Sequence, residues 1–300
     1  MYAAREGSSA ILHALSAQPD ILVPVFEAMD RYAIVRNHQT TAEFPEIFEQ
    51  LWETGSYGDY FSSGRNSLSP PMPEQTPDRV SAMGFKWRPH GDPVEITRIL
   101  GRQDVKVFVL LRRDFAELIA SLLVSDRMST AWADDERRRF HSQFMVRRAS
   151  PEQRSELRDR LDRMEIPLNR KRFLMRATHR ILAARNLRKW AERLSHRGLP
   201  IHVLHYEDFL TQPTVFMQDI MTDLGIARPF EPARRKSYEK LSKKAAADRI
   251  EGFRAWMRSP VARALEAAYR RELARVARLT PQDEARAEVE AASKDLVPSA

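Results

Sequence analysis

The chain has 300 residues, 43% of them hydrophobic, enough to bury a substantial core. It contains no cysteine, which excludes disulfides, thiolate metal centres and a cysteine nucleophile. The formal net charge of +8 suits a polyanionic partner, but the arginines between Arg147 and Arg197 alternate with acids in helical stretches, the pattern of solvated faces rather than of a nucleic-acid groove.

The first element is Arg5-Glu6-Gly7-Ser8-Ser9. Gly7 permits a tight turn, the two serines favour a helix start, and Ile11, Leu12 and Leu15 follow at helical spacing. A glycine turn feeding a helix leaves free N–H groups aimed at one point, and Arg5 adds a positive charge beside it. The stretch reads as a phosphate-binding loop. It is not a Walker loop, because the wider glycine spacing and the Gly-Lys-Ser/Thr ending are missing.

Ile21 to Phe26 is apolar and β-branched, a predicted strand ending at Glu27. Phe44, Ile47, Phe48 and Leu51 share one face of a predicted helix that reaches Trp52. Gly55 to Pro77, rich in Gly, Ser and Pro, reads as a long surface loop. A short strand is predicted over Val80 to Trp87, with Lys86 near its end, and a short helix over Val94 to Leu100.

Val105 to Leu111 is the clearest strand, nearly all apolar and so expected to be buried on both faces. Arg112-Arg113-Asp114 follow at once, and Phe115, Leu118, Ile119, Leu122 and Leu123 mark an amphipathic helix. Strand, charged turn and helix make half of a parallel crossover unit. Within it Arg113 and Ser121 are placed to face one phosphate; the alternative is a surface-turn arginine and a serine on a helix face.

From Asp134 to about Arg197 the chain is mostly helical, with breaks near Ser150-Pro151 and near Pro167. Ile201 to Tyr206 is the second good strand, closed by Glu207-Asp208-Phe209. A helix runs from about Thr214 to Leu224 with Gly225 at its end, and Arg234 to Lys244 is a basic segment. Residues 1–279 read as one domain and 280–300 as a polar C-terminal tail. No apolar run is long enough to span a bilayer and no secretion signal is evident, so a cytoplasmic location is expected. The eight histidines are scattered without carboxylates at ligand spacing, so no metal is expected.

Four of these stretches together resemble the sulfotransferases that use 3′-phosphoadenosine 5′-phosphosulfate (PAPS), above all the bacterial carbohydrate sulfotransferases of the rhizobial Nod-factor type. They are the Arg5–Ser9 loop, the Arg113 and Ser121 pair, His205-Tyr206-Glu207-Asp208-Phe209-Leu210 with Pro213, and the segment from Arg234-Arg235-Lys236 to Arg249-Ile250-Glu251-Gly252-Phe253. The resemblance implies an α/β fold: a three-layer, P-loop-like core around a short central parallel sheet, with helix-rich insertions. It implies PAPS as cosubstrate, no metal, and a hydroxylated small-molecule or glycan acceptor, a saccharide or glycolipid.

By that resemblance Arg5, Glu6, Gly7, Ser8 and Ser9 hold the 5′-phosphosulfate, Arg113 and Ser121 the 3′-phosphate, and Tyr206, Arg235 and Lys236 complete the nucleotide site. Arg5 also stabilises charge on the leaving phosphate. Glu27 matches the base of the carbohydrate branch, with His38 and His90 as rival bases. Lys86 aligns with a lysine at the sulfonate or acceptor; the alternative is a strand-end lysine in solvent. Two other readings stay open: a nucleotide kinase on a related core, and a non-enzymatic nucleotide- or nucleic-acid-binding module. The net charge also leaves room for peripheral contact with an acidic membrane.

Overall fold

The structure is a computed structural model that describes Met1 and residues 8–23, 81–87, 89, 105–131, 151–232 and 244–279. In chain order its elements are α1 (Ser8–Ser16), β1 (Ile21–Leu22), β2 (Ala82–Met83), β3 (Val107–Leu111) and α2 (Phe115–Ala131). Then come α3 (Pro151–Asp162), β4 (Ile166–Pro167), α4 (Arg170–His196), β5 (Ile201–His205), α5 (Tyr206–Thr211) and α6 (Pro213–Asp223). A 3₁₀ turn (Ala246–Arg249), β6 (Ile250–Glu251), α7 (Phe253–Met257) and α8 (Pro260–Ala277) complete the described part.

The described chain is thus mixed helix and strand with short parallel sheets, the α/β class read from the sequence. β3 pairs β5 from Val107↔Ile201 to Leu111↔His205, β1 pairs β2, and β4 pairs β6, all parallel. On the other edge of β3, the Met1 amino group donates to the Phe108 carbonyl, and the Leu110 N–H donates to the Met1 carbonyl at 3.0 Å. That alternation of donor and acceptor is the parallel ladder pattern.

β3 is apolar on both faces because both are covered. Val107, Val109 and Leu111 join a core with Phe115, Leu118 and Ile119 of α2, the inner stripe of α4, and Tyr269 of α8. Leu110 belongs to a separate cluster with Ile11 of α1 and Phe216, Met217 and Ile220 of α6. Successive strand residues point to opposite faces, so one strand serves both clusters. Asn169 caps α4 by accepting the Arg172 N–H at 2.9 Å, and Ser259 caps α8.

Several expected boundaries move. The strand expected to include Tyr206 ends at His205, and Glu207-Asp208-Phe209 open the helix α5 instead of closing a strand. The break near Pro167 is a strand, β4, pairing with β6 from a distant part of the sequence. Of the strand predicted over Val80–Trp87, the described residues form strand at Ala82–Met83, paired with Ile21 and Leu22 of β1, and Val80 lies outside them. The alternation of arginine with acid holds in α3 but fails in α4, where nine Lys and Arg accompany one acid, Glu192. Nor are all those arginines solvated: Arg180 is buried.

Candidate functional site

In open α/β sheets ligands bind beyond the carboxyl ends of the parallel strands. Here the chain leaves β3 through Arg112, Arg113 and Asp114 and leaves β5 directly into α5. The in-register ends, Leu111 beside His205, bring these two turns together.

Glu207 ties them. Its carboxylate accepts the backbone N–H of Arg113 at 3.1 Å and that of Asp114 at 3.0 Å. The Arg113 guanidinium donates to Asp208, and its Nε lies 3.8 Å from Glu207. Asp114 in turn starts α2, its Oδ1 accepting the Glu117 N–H at 2.9 Å. Glu117 then accepts the N–H groups of Ala246 and Ala247 at 2.8 and 3.1 Å, anchoring the 3₁₀ turn to α2. From the buried side, the Tyr269 hydroxyl donates to the Arg112 carbonyl at 2.9 Å. The Arg112 guanidinium lies over the Tyr206 ring, 5.4 Å from its centroid.

The electrostatics follow from burial and from these neighbours. Burial, and then the charge of Arg113, lower the His205 pKa below its ordinary value, so the imidazole is neutral at neutral pH. Its Nδ1 is buried and has no hydrogen-bond partner among the described residues. Burial raises the Tyr206 phenol, keeping it protonated. The edge therefore offers two guanidinium groups and the N-terminus of α2, opposed by three carboxylates, Glu207, Asp208 and the Asp114 that caps that helix. Such a site takes an anion only in competition with its own acids.

The predicted site residues fall in different places. Arg113 lies at this edge, half-exposed and paired with Asp208, so its guanidinium reaches the acid rather than Ser121. Ser121 is half-buried within α2. Tyr206 opens α5 at the same edge, under Arg112. Ser8 and Ser9 begin α1. Lys86 is buried, which removes the alternative of a lysine in solvent; the adjoining Trp87 packs edge-on against Trp190 at 5.0 Å. Arg5, Glu6, Gly7, Glu27, His38, His90, Arg235 and Lys236 lie outside the described residues.

Sequence reasoning missed Glu207, Asp208, Glu117 and Tyr269 as partners of the β3 turn. The acids were visible as the closure of a strand, but nothing local links them to residues some ninety positions earlier. Among the described residues no group of His, Asp and Glu is arranged to hold a metal ion, and no helix is long and apolar enough to cross a membrane.

No protein-family model, no curated protein and no solved structure matches the chain.

Proposed function

We propose that this chain is a PAPS-dependent sulfotransferase acting on a hydroxyl of a saccharide or glycolipid. The observation that carries the reading is the seating of the N-terminus. Met1 pairs parallel to β3 while α1, starting at Ser8, packs through Ile11 against Leu110 of the same strand. The stretch containing Arg5-Glu6-Gly7 thus connects a strand-like pairing to a helix on the sheet that ends in Arg112 and Arg113. This is the connectivity a phosphate-binding loop needs. The two clusters sharing β3, with α1 and α6 on one and α2, α4 and α8 on the other, favour a three-layer, P-loop-like core.

In this reading the transfer is an in-line displacement. The acceptor oxygen forms a bond to sulfur, the bond from sulfur to the 5′-phosphate oxygen breaks, and the acceptor proton passes to a base. Positioning and stabilisation of the leaving charge dominate, by analogy with phosphoryl transfer. Arg5 and the N–H groups of Gly7, Ser8 and Ser9 hold the leaving phosphate. Glu27 takes the proton, and Arg113 with Ser121 holds the 3′-phosphate. Arg235, Lys236 and Tyr206 complete nucleotide binding, and Lys86 contacts sulfonate or acceptor.

The test is incubation with labelled PAPS and a panel of hydroxylated acceptors, beside thermal shifts with adenosine 3′,5′-bisphosphate, ATP plus magnesium, and RNA. Arg113→Ala weakens bisphosphate binding. Glu27→Gln spares binding and lowers turnover. Stabilisation by ATP plus magnesium, or by RNA alone with steep salt dependence, replaces the proposal with the kinase or the nucleic-acid reading.

A further inference from the structure

We propose that the outward face of α4 is a docking surface for an anionic lipid bilayer. The inference does not depend on the activity proposed above.

The inner stripe of α4 is Phe173, Ala177, Ala184, Leu187, Ala191 and Leu194, all buried in the main core. Half a turn away, the opposite stripe runs through Lys171, Met175, Thr178, Leu182, Arg185, Lys189 and Arg193 at the three- and four-residue steps of one helical face. Leu182 is 50% exposed, Met175 42% and the adjoining Leu174 39%. Three large apolar side chains thus stand open on one helix, with cations on both sides of them along its axis. The one acid of α4, Glu192, is paired with Arg188 at 2.6 Å. The outward stripe itself holds no acid, and of its cations Arg185 is paired with Glu272 of α8 at 3.4 Å.

The chemistry of this face selects the occupant. A second copy of the same face is disfavoured, because like charges would meet. A nucleic acid would take the cations but leave Leu174, Met175 and Leu182 in water. An anionic bilayer satisfies both sets: lysines and arginines at the phosphate level, leucine and methionine side chains below it. A helix of 27 residues extends about 40 Å, long enough to lie along a membrane surface with all these residues in one plane. The net charge of +8 gives the chain a long-range attraction to the same surface.

The experiment is flotation of the full chain with phosphatidylcholine vesicles, with and without phosphatidylglycerol, at low and physiological salt. Binding to the phosphatidylglycerol vesicles alone is expected. Each cation near an anionic surface contributes roughly a fivefold gain in partition, so Lys171→Gln/Lys189→Gln lowers binding about 25-fold. Leu174→Ser/Leu182→Ser lowers it about tenfold or more at both salt concentrations. These positions are exposed, so circular dichroism and the thermal midpoint stay unchanged and report that the variants fold. Equal binding to neutral vesicles overturns the proposal, as does binding that neither variant reduces. Binding lost with the lysines but indifferent to the leucines marks a general polyanion surface and overturns it too. A dimer in solution that Leu182→Ser dissociates assigns the face to self-association instead.

Discussion

If the Arg113 guanidinium is the arm that takes a phosphate, Asp208 is its competitor, and Asp208→Asn should tighten anion binding. The pair is exposed, with side-chain accessibilities of 52% for Arg113 and 56% for Asp208. Such pairs contribute about 0.2–1 kcal/mol, so releasing Arg113 improves affinity roughly 1.4- to 5-fold. Removing a like charge about 8 Å from the bound phosphate adds about 0.5 kcal/mol in water, another factor of about two. The expected gain is therefore about three- to tenfold, its long-range part fading as salt rises. Isothermal titration with adenosine 3′,5′-bisphosphate at two salt concentrations measures it. Measured against Arg113→Ala, the gain in Arg113→Ala/Asp208→Asn must shrink to the roughly twofold long-range part. Unchanged or weaker binding in Asp208→Asn refutes the reasoning and leaves the pair as a clasp between two turns. A ligand-free check is also available: Asp208 is one of the groups that raise the His205 imidazole, so the substitution lowers that pKa further, visible by NMR titration.

Glu207→Ala removes the acceptor of two backbone N–H groups that water then takes over; a loss of about 1–2 kcal/mol is expected in denaturant titration, and Glu207→Gln, keeping one carbonyl acceptor, loses less. Glu272 is 4% exposed and pairs with Arg188 at 2.8 Å, so Glu272→Ala leaves a largely buried guanidinium with Glu192 alone and costs about 3 kcal/mol, the low end for a broken buried pair. Burial alone would raise the Glu272 carboxyl, but Arg188 and then Arg185 bring it below its ordinary 4.5. Its stabilisation is therefore complete above that value and lost as pH falls through the folded pKa. Glu272→Ala should flatten the acid limb of a stability–pH curve. Gly252 sits at φ 67° with nothing within 4 Å of an added Cβ, so Gly252→Ala pays backbone strain only, about 1–2 kcal/mol; a loss well above 3 kcal/mol would show a steric clash.

Where local pattern sufficed, the reading agreed with the fold. Val107 to Leu111 is a run of apolar residues that only a strand covered on both faces accommodates, and the next residues carry helix spacing from Phe115. α8 went unread although Ala262, Leu265, Tyr269, Leu273 and Val276 recur at helical steps after the helix start Ser259-Pro260, because arginines interrupt the stripe. β4 and β6 were not legible. Two-residue strands have no periodicity of their own, and Ile166 becomes part of one only because Ile250 lies beside it.

The amino-acid sequence by itself determined the α/β class, the β3–α2 unit with Arg113 at its turn, and the apolar stripes of α1, α2 and α6. Those properties follow from spacing along the chain, where steric and hydrophobic preferences act over a few residues. Only the tertiary structure decided that Glu207 and Asp208 meet the β3 turn, that Lys86 is buried, and that Met1 pairs with β3 on the edge opposite β5. It also decided which face of α4 carries its exposed leucines among its cations. Those are pairings between distant segments, set by which surfaces the folded core brings together.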